Sequence, residues 1–149
     1  MSGTGLVVLL VVLVVTTAAG LVLRARSGAV RRSAPAGPTG PGWELAGVDP
    51  AGRRALLLQL SSPVCTPCRQ TAVLLAALAA DDPGLAHVEI DVADRADVAR
   101  ALGVMRTPTT VVFDGRGAEL LRVAGVPRTG ELVAALPAPD GPGPAAPAL

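Results

Sequence analysis

Residues 61–69 read Ser-Ser-Pro-Val-Cys-Thr-Pro-Cys-Arg, and this stretch holds both cysteines of the chain, Cys65 and Cys68. Residues 55–60, just before it, form an apolar run that is typical of a buried strand. Residues 70–80, just after it, follow a helix-like pattern. The sequence therefore predicts a pair of thiols at the start of a helix that follows a strand. This arrangement favours reversible thiol–disulfide chemistry.

The position of the first thiol predicts its reactivity. A thiolate is the reactive species, and an ordinary cysteine has a pKa of about 8.5. A helix N-terminus carries unpaired N–H groups and about half a positive charge, so it stabilises a thiolate at Cys65. Pro67 fits the first turn, where its missing N–H costs nothing. Cys65 is the predicted nucleophile, and Cys68 would resolve the mixed disulfide.

A structural disulfide, a zinc site and an unrelated pair each account less well for the two cysteines. A structural disulfide across so short a loop removes little chain entropy from the unfolded state. A structural zinc site needs about four ligands, and the chain offers two cysteines and a single histidine, His87. Two unrelated buried cysteines would not explain the strand before them and the helix after them. We therefore predict a redox pair and no metal site.

The composition limits the class of protein. The chain has 149 residues, which favours one domain with short appendages. Trp43 and Phe113 are its only aromatic residues, so the core must be built mainly from Leu, Val and Ala. The formal net charge is +1. No basic stripe is interleaved with aromatic residues, and nucleic-acid binding has no support.

The rest of the central region alternates between strand and helix patterns. Strands are predicted at 55–60, 86–92, 109–113 and 118–124, and helices at 66–80, 94–102 and 129–136. A hairpin turn is expected at 114–117, and Thr129 is a candidate N-cap. The order β-α-β-α-β-β-α predicts an α/β fold with a central mixed sheet. Its first strands should be parallel and its last two antiparallel.

An apolar segment lies near the N-terminus, after a short segment of residues 1–5. Residues 6–23 contain no charge, and 13 of these 18 residues are Leu or Val. At about 1.5 Å per residue, a helix of this length covers about 27 Å, close to the thickness of the hydrocarbon core. A cleaved signal peptide is the main alternative, but residues 1–5 lack its basic start. We expect a retained single-pass transmembrane helix.

The orientation of this helix is open to two interpretations. Four arginines follow it directly, at Arg24, Arg26, Arg31 and Arg32. The positive-inside rule then places the C-terminal domain on the cytoplasmic side. The extracytoplasmic side is the alternative.

Two further segments resemble spacers. Residues 24–42 are rich in Gly, Pro and Arg and are expected to be a flexible linker. Residues 137–149 are rich in Pro and Ala and are expected to be a disordered tail. The folded domain is assigned to residues 43–136.

A second motif makes the pattern specific. Arg106-Thr107-Pro108-Thr109 stands before a predicted strand, about 40 residues after the cysteines. With the cysteine motif, it makes residues 43–136 resemble the thioredoxin family. The resemblance also includes Ile90-Asp91, Gly103-Val104 and Gly125.

The resemblance implies several properties of the site. It implies a cis Pro108 that packs against the dithiol and blocks metal capture, and a Thr107 backbone that pairs with an extended substrate. It implies no cofactor beyond a redox-active Cys65–Cys68 disulfide. The implied partners are a protein thiol or disulfide substrate and an upstream dithiol reductant.

Three positions depart from the family pattern. Val64 replaces the tryptophan that usually precedes the first cysteine, so the aromatic substrate platform is missing. Gln59 replaces a buried aspartate that relays a proton to the resolving thiol. His87 aligns with a lysine near that aspartate. His87 has either a structural role or a role in proton transfer, and both interpretations stay open.

These observations predict a membrane-anchored thiol–disulfide oxidoreductase. Pro67, before the second cysteine, resembles reducing members of the family more than strong oxidants, and this favours disulfide reduction. One alternative is a maturation factor dedicated to a single partner, of the kind that serves cytochrome c or quinoprotein biogenesis. Another is a non-enzymatic anchored module that uses the same fold to hold a partner.

Overall fold

A computed structural model describes residues 3–33 and 39–139 of the chain. The predicted N-terminal segment, linker and C-terminal tail each lie partly outside the described residues. The described part has five helices and five strands, in the following order. These are α1 Gly3–Arg26, β1 Val30–Arg32, α2 Gly42–Ala46, β2 Ala55–Ser61, α3 Thr66–Asp81, β3 Leu85–Asp91, α4 Ala96–Ala101, β4 Thr109–Asp114, β5 Glu119–Ala124 and α5 Thr129–Ala135.

The strands form one mixed sheet in the order β1-β5-β4-β2-β3. Strands β2 and β3 are parallel, and Leu58 lies opposite Val88. Strand β4 runs antiparallel to both β2 and β5. The predicted α/β fold with parallel first strands and an antiparallel last pair is confirmed.

Both faces of the sheet are covered, as the continuous apolar run of β2 requires. Every residue of β2 is buried. Successive side chains point to opposite faces, so β2 contributes to two separate clusters. One cluster contains Leu56, Leu58, Leu60, Phe113, Trp43 and Val98. The other contains Leu57, Leu75, Val112, Leu121 and Leu132. Helices α3 and α5 therefore pack on one face, and α2 and α4 on the other.

In the region before residue 50, the structure contains two elements that the sequence did not predict. Strand β1 lies within the stretch expected to be a flexible linker, where it pairs antiparallel with β5, Val30 opposite Val123. The short helix α2 also lies there in part, and its Trp43 indole N–H donates to the Asp114 carbonyl at 2.9 Å. Both elements are stabilised by contacts that are distant in sequence, which a local pattern does not reveal.

The predicted element boundaries are otherwise close. The helix expected at 94–102 is shorter, at Ala96–Ala101. The N-cap of α5 is Arg128 rather than Thr129, and its side chain caps no N–H group. Helix α3 ends beside a bidentate ion pair between Arg54 and Asp82. The Arg54 guanidinium holds the pKa of the Asp82 carboxyl below its usual value.

Helix α1 is long and apolar enough to cross a membrane. The helix has 24 residues, and its most apolar window of 18 residues has a mean hydropathy of 3.0. No part of that window is buried in the structure. An exposed apolar surface of this length is compatible with a membrane span or with a signal sequence. The helix continues past the apolar run, and Arg24 and Arg26 lie in its last turn.

Candidate active site

The two cysteines lie between the end of β2 and the start of α3. Cys65 is the N-cap residue of α3 and has an extended backbone conformation, and Pro67 lies in the first turn. Cys65 and Cys68 are joined by a disulfide bond, with their Cα atoms 5.2 Å apart. The structure therefore shows the oxidised form of the pair.

The helix N-terminus is directed at the first sulfur atom. The Cys68 N–H donates to Cys65 Sγ at 3.2 Å. The Arg69 side chain does not reach the sulfur but donates to the Thr66 hydroxyl at 3.0 Å. Hydrogen bonding and the helix dipole both favour the charged form of a thiol, so this position stabilises a thiolate at Cys65 when the disulfide is reduced.

The two sulfur atoms differ in accessibility. Cys68 is only 2% exposed, whereas Cys65 is half-buried. An incoming disulfide can therefore approach Cys65, while Cys68 is shielded and has Cys65 as its neighbour. The roles of nucleophile and resolving thiol stay predictions, and this asymmetry in exposure favours them.

The loop before β4 forms the other side of the site. The Thr107–Pro108 peptide bond is cis, and Pro108 is buried. The Gly125 N–H donates to the Pro108 carbonyl at 2.8 Å. The hydroxyls of Ser62 and Thr107 lie 3.2 Å apart and connect this loop to the loop that carries the cysteines.

A groove of about 590 Å³ runs along this loop. Its lining includes Pro67, Arg106, Thr107, Pro108, Arg24 and Ser27. Within the described residues, the backbone N–H and C=O of Thr107 have no backbone partner. They are free to pair with an extended segment in the groove.

Sequence reasoning placed three of these lining residues in the site and missed others. Thr107 and Pro108, which were predicted to shape the substrate groove, both line it, and so does Pro67. Val64 is 93% exposed beside Cys65 and is not among the groove residues. Arg24 and Ser27 were missed, because no local pattern shows that the end of α1 lies beside this loop. Arg106 belongs to the second motif, but the sequence analysis gave it no role in the site.

A polar cluster lies beneath α3, next to Cys68. Gln59 is fully buried, and its Nε2 donates to the Cys68 carbonyl at 2.9 Å. The same nitrogen lies 3.3 Å from Glu89 Oε1. Its Oε1 faces His87 Nε2 at 3.2 Å. Since Gln59 must donate to a carbonyl, its oxygen accepts from His87, which fixes the tautomer of a neutral ring.

Burial lowers the pKa of His87 below its ordinary value, and the nearby Glu89 charge opposes this effect. The ring is therefore neutral at pH 7. With its Nε2–H committed to Gln59, the ring holds the amide in the orientation that contacts Cys68. The geometry places Gln59 and His87 together behind Cys68.

Comparison with known sequences identifies the family. The sequence model of the thioredoxin family matches residues 50–138, more than half of the chain. The chain belongs to the thioredoxin family. With both cysteines of the motif present and disulfide-bonded, membership in this family supports thiol–disulfide oxidoreductase activity. Comparison with curated proteins finds no significant match.

Solved thioredoxin structures share the fold. A mutant thioredoxin from Halobacterium salinarum is 25% identical, with a TM-score of 0.55, and the alignment covers 69% of this chain and 93% of that one. A thioredoxin from Nicotiana alata is 24% identical, with a TM-score of 0.53 and coverage of 68% and 94%. Fasciola hepatica thioredoxin is 26% identical, with a TM-score of 0.50 and coverage of 56% and 79%.

Proposed function

We propose that this protein is a membrane-anchored oxidoreductase that reduces protein disulfides through Cys65 and Cys68. The observation that carries the proposal is the cysteine pair at the head of α3. A groove with a free Thr107 backbone adjoins the pair. The thioredoxin fold implies protein thiol substrates and a reductant. Two parts of the proposal go beyond what family membership supports. These are the anchoring by α1 and the direction of electron flow, which is from the cysteine pair to the substrate.

The reaction begins with the reduced pair. The Cys65 thiolate attacks a substrate disulfide, a Cys65–substrate bond forms, and the first substrate sulfur leaves as a thiolate that takes up a proton. Cys68 loses its proton and attacks Cys65 Sγ. The Cys65–Cys68 disulfide forms, and the second substrate thiolate leaves. Two electrons have passed to the substrate, and an upstream dithiol reductant must restore the pair.

We further propose that α1 is retained as the anchor. The arginines after the apolar run favour a domain on the cytoplasmic side. The extracytoplasmic side is the alternative, and the compartment of a trapped substrate distinguishes the two.

Trapping the mixed disulfide tests this function. A Cys68→Ser variant, expressed in the native host, should accumulate a covalent adduct on Cys65, because the resolving thiol is gone. Non-reducing electrophoresis followed by mass spectrometry would identify the adduct. The matched control is the Cys65→Ser/Cys68→Ser double variant, which should trap nothing. If the Cys68→Ser variant forms no adduct that depends on Cys65, the reductase function is wrong.

A dedicated role with a single partner is the second candidate, and the exposed Val64 favours it. Without an aromatic platform beside Cys65, the groove offers less general apolar contact, so specific contacts must supply more of the affinity. One dominant adduct in the trapping experiment would support this candidate, whereas many different adducts would support a general reductase. The compartment of the trapped protein would also give the side of the membrane.

We propose that Gln59 and His87 position Cys68 for the second step. A His87→Ala variant should resolve the mixed disulfide about tenfold more slowly at neutral pH, less than the ~10²–10⁴-fold loss typical of a direct general base. Rapid-mixing kinetics with a prereduced protein and a fluorogenic disulfide would measure both steps. An unchanged rate of the second step would contradict this role.

The pH dependence of stability gives an independent readout. Since burial lowers the folded-state pKa of His87, the unfolded state binds a proton first as the pH falls. The wild type should therefore lose stability as the pH falls below about 6.5, the ordinary pKa of histidine. Urea unfolding of His87→Gln should lack this part of the pH dependence. This difference tests whether His87 is buried as a neutral ring. The rate of the second step tests its positioning role.

A further inference from the structure

The connection between α1 and the sheet is short and held at both ends. Only residues 27–29 separate α1 from β1. The Gly28 N–H donates to the Ala124 carbonyl of β5 at 2.8 Å. An Arg128 Nη2 donates to the Ala25 carbonyl of α1 at 3.0 Å. These two hydrogen bonds fix the C-terminal end of α1 against the end of β5 and the residues that follow it.

The same connection forms part of the groove. Arg24 and Ser27 line it together with Pro67, Thr107 and Pro108. The apolar run ends at residue 23, so Ser27 lies about 6 Å farther along the helix axis. If α1 spans the bilayer, the groove opens in the headgroup region, which is a few ångströms thick on each side. A substrate must then be present at the membrane surface.

The groove is positively charged at this end. Arg24 and Arg106 line it, and a smaller adjoining cavity is lined by Arg26, Arg31 and Arg122 among others. Arg122 is paired with Glu119, whereas the other four arginines form no ion pair with any part of the chain that the structure describes. Unpaired arginines at the entrance of a groove favour an acidic ligand.

We propose that the groove takes an acidic, disulfide-bearing segment of a protein embedded in the same membrane. This proposal rests on the reductase function and names its substrate class. The acidic residues beside the substrate disulfide would contact Arg24 and Arg106, while the segment pairs with the Thr107 backbone. Electrons and protons move as in the two steps of the reductase reaction, and the substrate disulfide becomes two thiols.

A set of four peptides tests both parts of the proposal. The full chain is reconstituted in zwitterionic vesicles and prereduced, and each peptide carries a hydrophobic span and the same fluorogenic disulfide. The peptides differ in two ways, which gives the four combinations. The residues beside the disulfide are either acidic or basic. The disulfide either follows the span directly, at the membrane surface, or stands about 31 Å above it on a ten-residue polyproline spacer. We expect the acidic peptide at the surface to be reduced about tenfold faster than the other three.

Charge variants connect this preference to the two arginines. In an Arg24→Glu/Arg106→Glu variant, the ratio of acidic to basic peptide rates should invert. The milder Arg24→Gln and Arg106→Gln variants should each reduce the ratio, which keeps the test valid if the double reversal misfolds. Arg116→Glu is the matched control, because Arg116 is exposed in the hairpin at the far end of β4 from Pro108. It should keep the wild-type ratio.

Three outcomes would overturn the proposal. Equal rates for the four peptides would refute it while leaving the reductase function intact, provided that a small neutral disulfide is still reduced. Failure to reduce that small disulfide would refute the reductase function and this proposal together. If adding anionic lipid to the vesicles removes the preference for acidic peptides, the arginines bind lipid headgroups and the proposal is wrong.

Discussion

A Cys65→Ser variant is expected to lose at least about 10³-fold in the rate of disulfide reduction, because its hydroxyl cannot replace a thiolate as nucleophile. The structure gives the physical reason for choosing this sulfur. Cys65 Sγ accepts the Cys68 N–H at 3.2 Å. Cys65 is half-buried, whereas Cys68 is only 2% exposed. The measurement is a single-turnover reaction of the prereduced full chain with a fluorogenic disulfide.

The Cys68→Ser variant is the matched control for this prediction. It retains the nucleophile, so it should release one equivalent of substrate thiol in a burst and then stop at the mixed disulfide. The Cys65→Ser variant should show no burst. A burst in Cys65→Ser that is absent in Cys68→Ser would reverse the two roles and contradict the assignment.

Much of the candidate site could be predicted because its signals are local. The strand before Cys65 and the helix after Cys68 follow from hydrophobic pattern and turn residues. The role predicted for Pro108 is what the resemblance to the thioredoxin family implies, and the structure places this residue beside the groove. These features depend on short stretches of sequence, whose pattern persists in the fold.

The surroundings of the site could not be predicted in the same way. The contact between Gln59 and Cys68 depends on the placement of α3 over β2. The place of Arg24 in the groove depends on β1, whose three residues have no distinctive pattern and form a strand only by pairing with β5. Such features arise from contacts between distant parts of the chain, which the hydrophobic pattern of one sequence does not specify.

Trp43 illustrates the same limit in the core. The sequence indicated that a chain with two aromatic residues must build its core from aliphatic side chains. In the structure, both aromatic residues lie in one cluster with the even-numbered leucines of β2. Trp43 is 5% exposed, and its indole donates to the carbonyl of Asp114, 71 residues away. It fixes α2 against the central strands.

Truncation of this side chain is expected to have the largest effect on stability. A Trp43→Ala variant removes a buried aromatic ring and should lower the free energy of unfolding by about 3–5 kcal/mol. That is a large share of the ~5–15 kcal/mol available to a typical domain. At about 4–8 °C per kcal/mol for a domain of this size, the melting temperature should fall by at least about 12 °C. Far-UV circular dichroism of the oxidised full chain in detergent would measure it.

A Trp43→Phe variant separates packing from hydrogen bonding. It keeps most of the apolar surface but leaves the Asp114 carbonyl without the indole donor, so it should cost only about 1–2 kcal/mol. Equal stability of the two variants would mean that the ring contributes little, and the assignment of Trp43 to the core would be wrong. If the prediction holds, α2 is part of the folded unit. A soluble form must then begin before residue 42 to retain it, because the cluster around Phe113 would otherwise lose its cover.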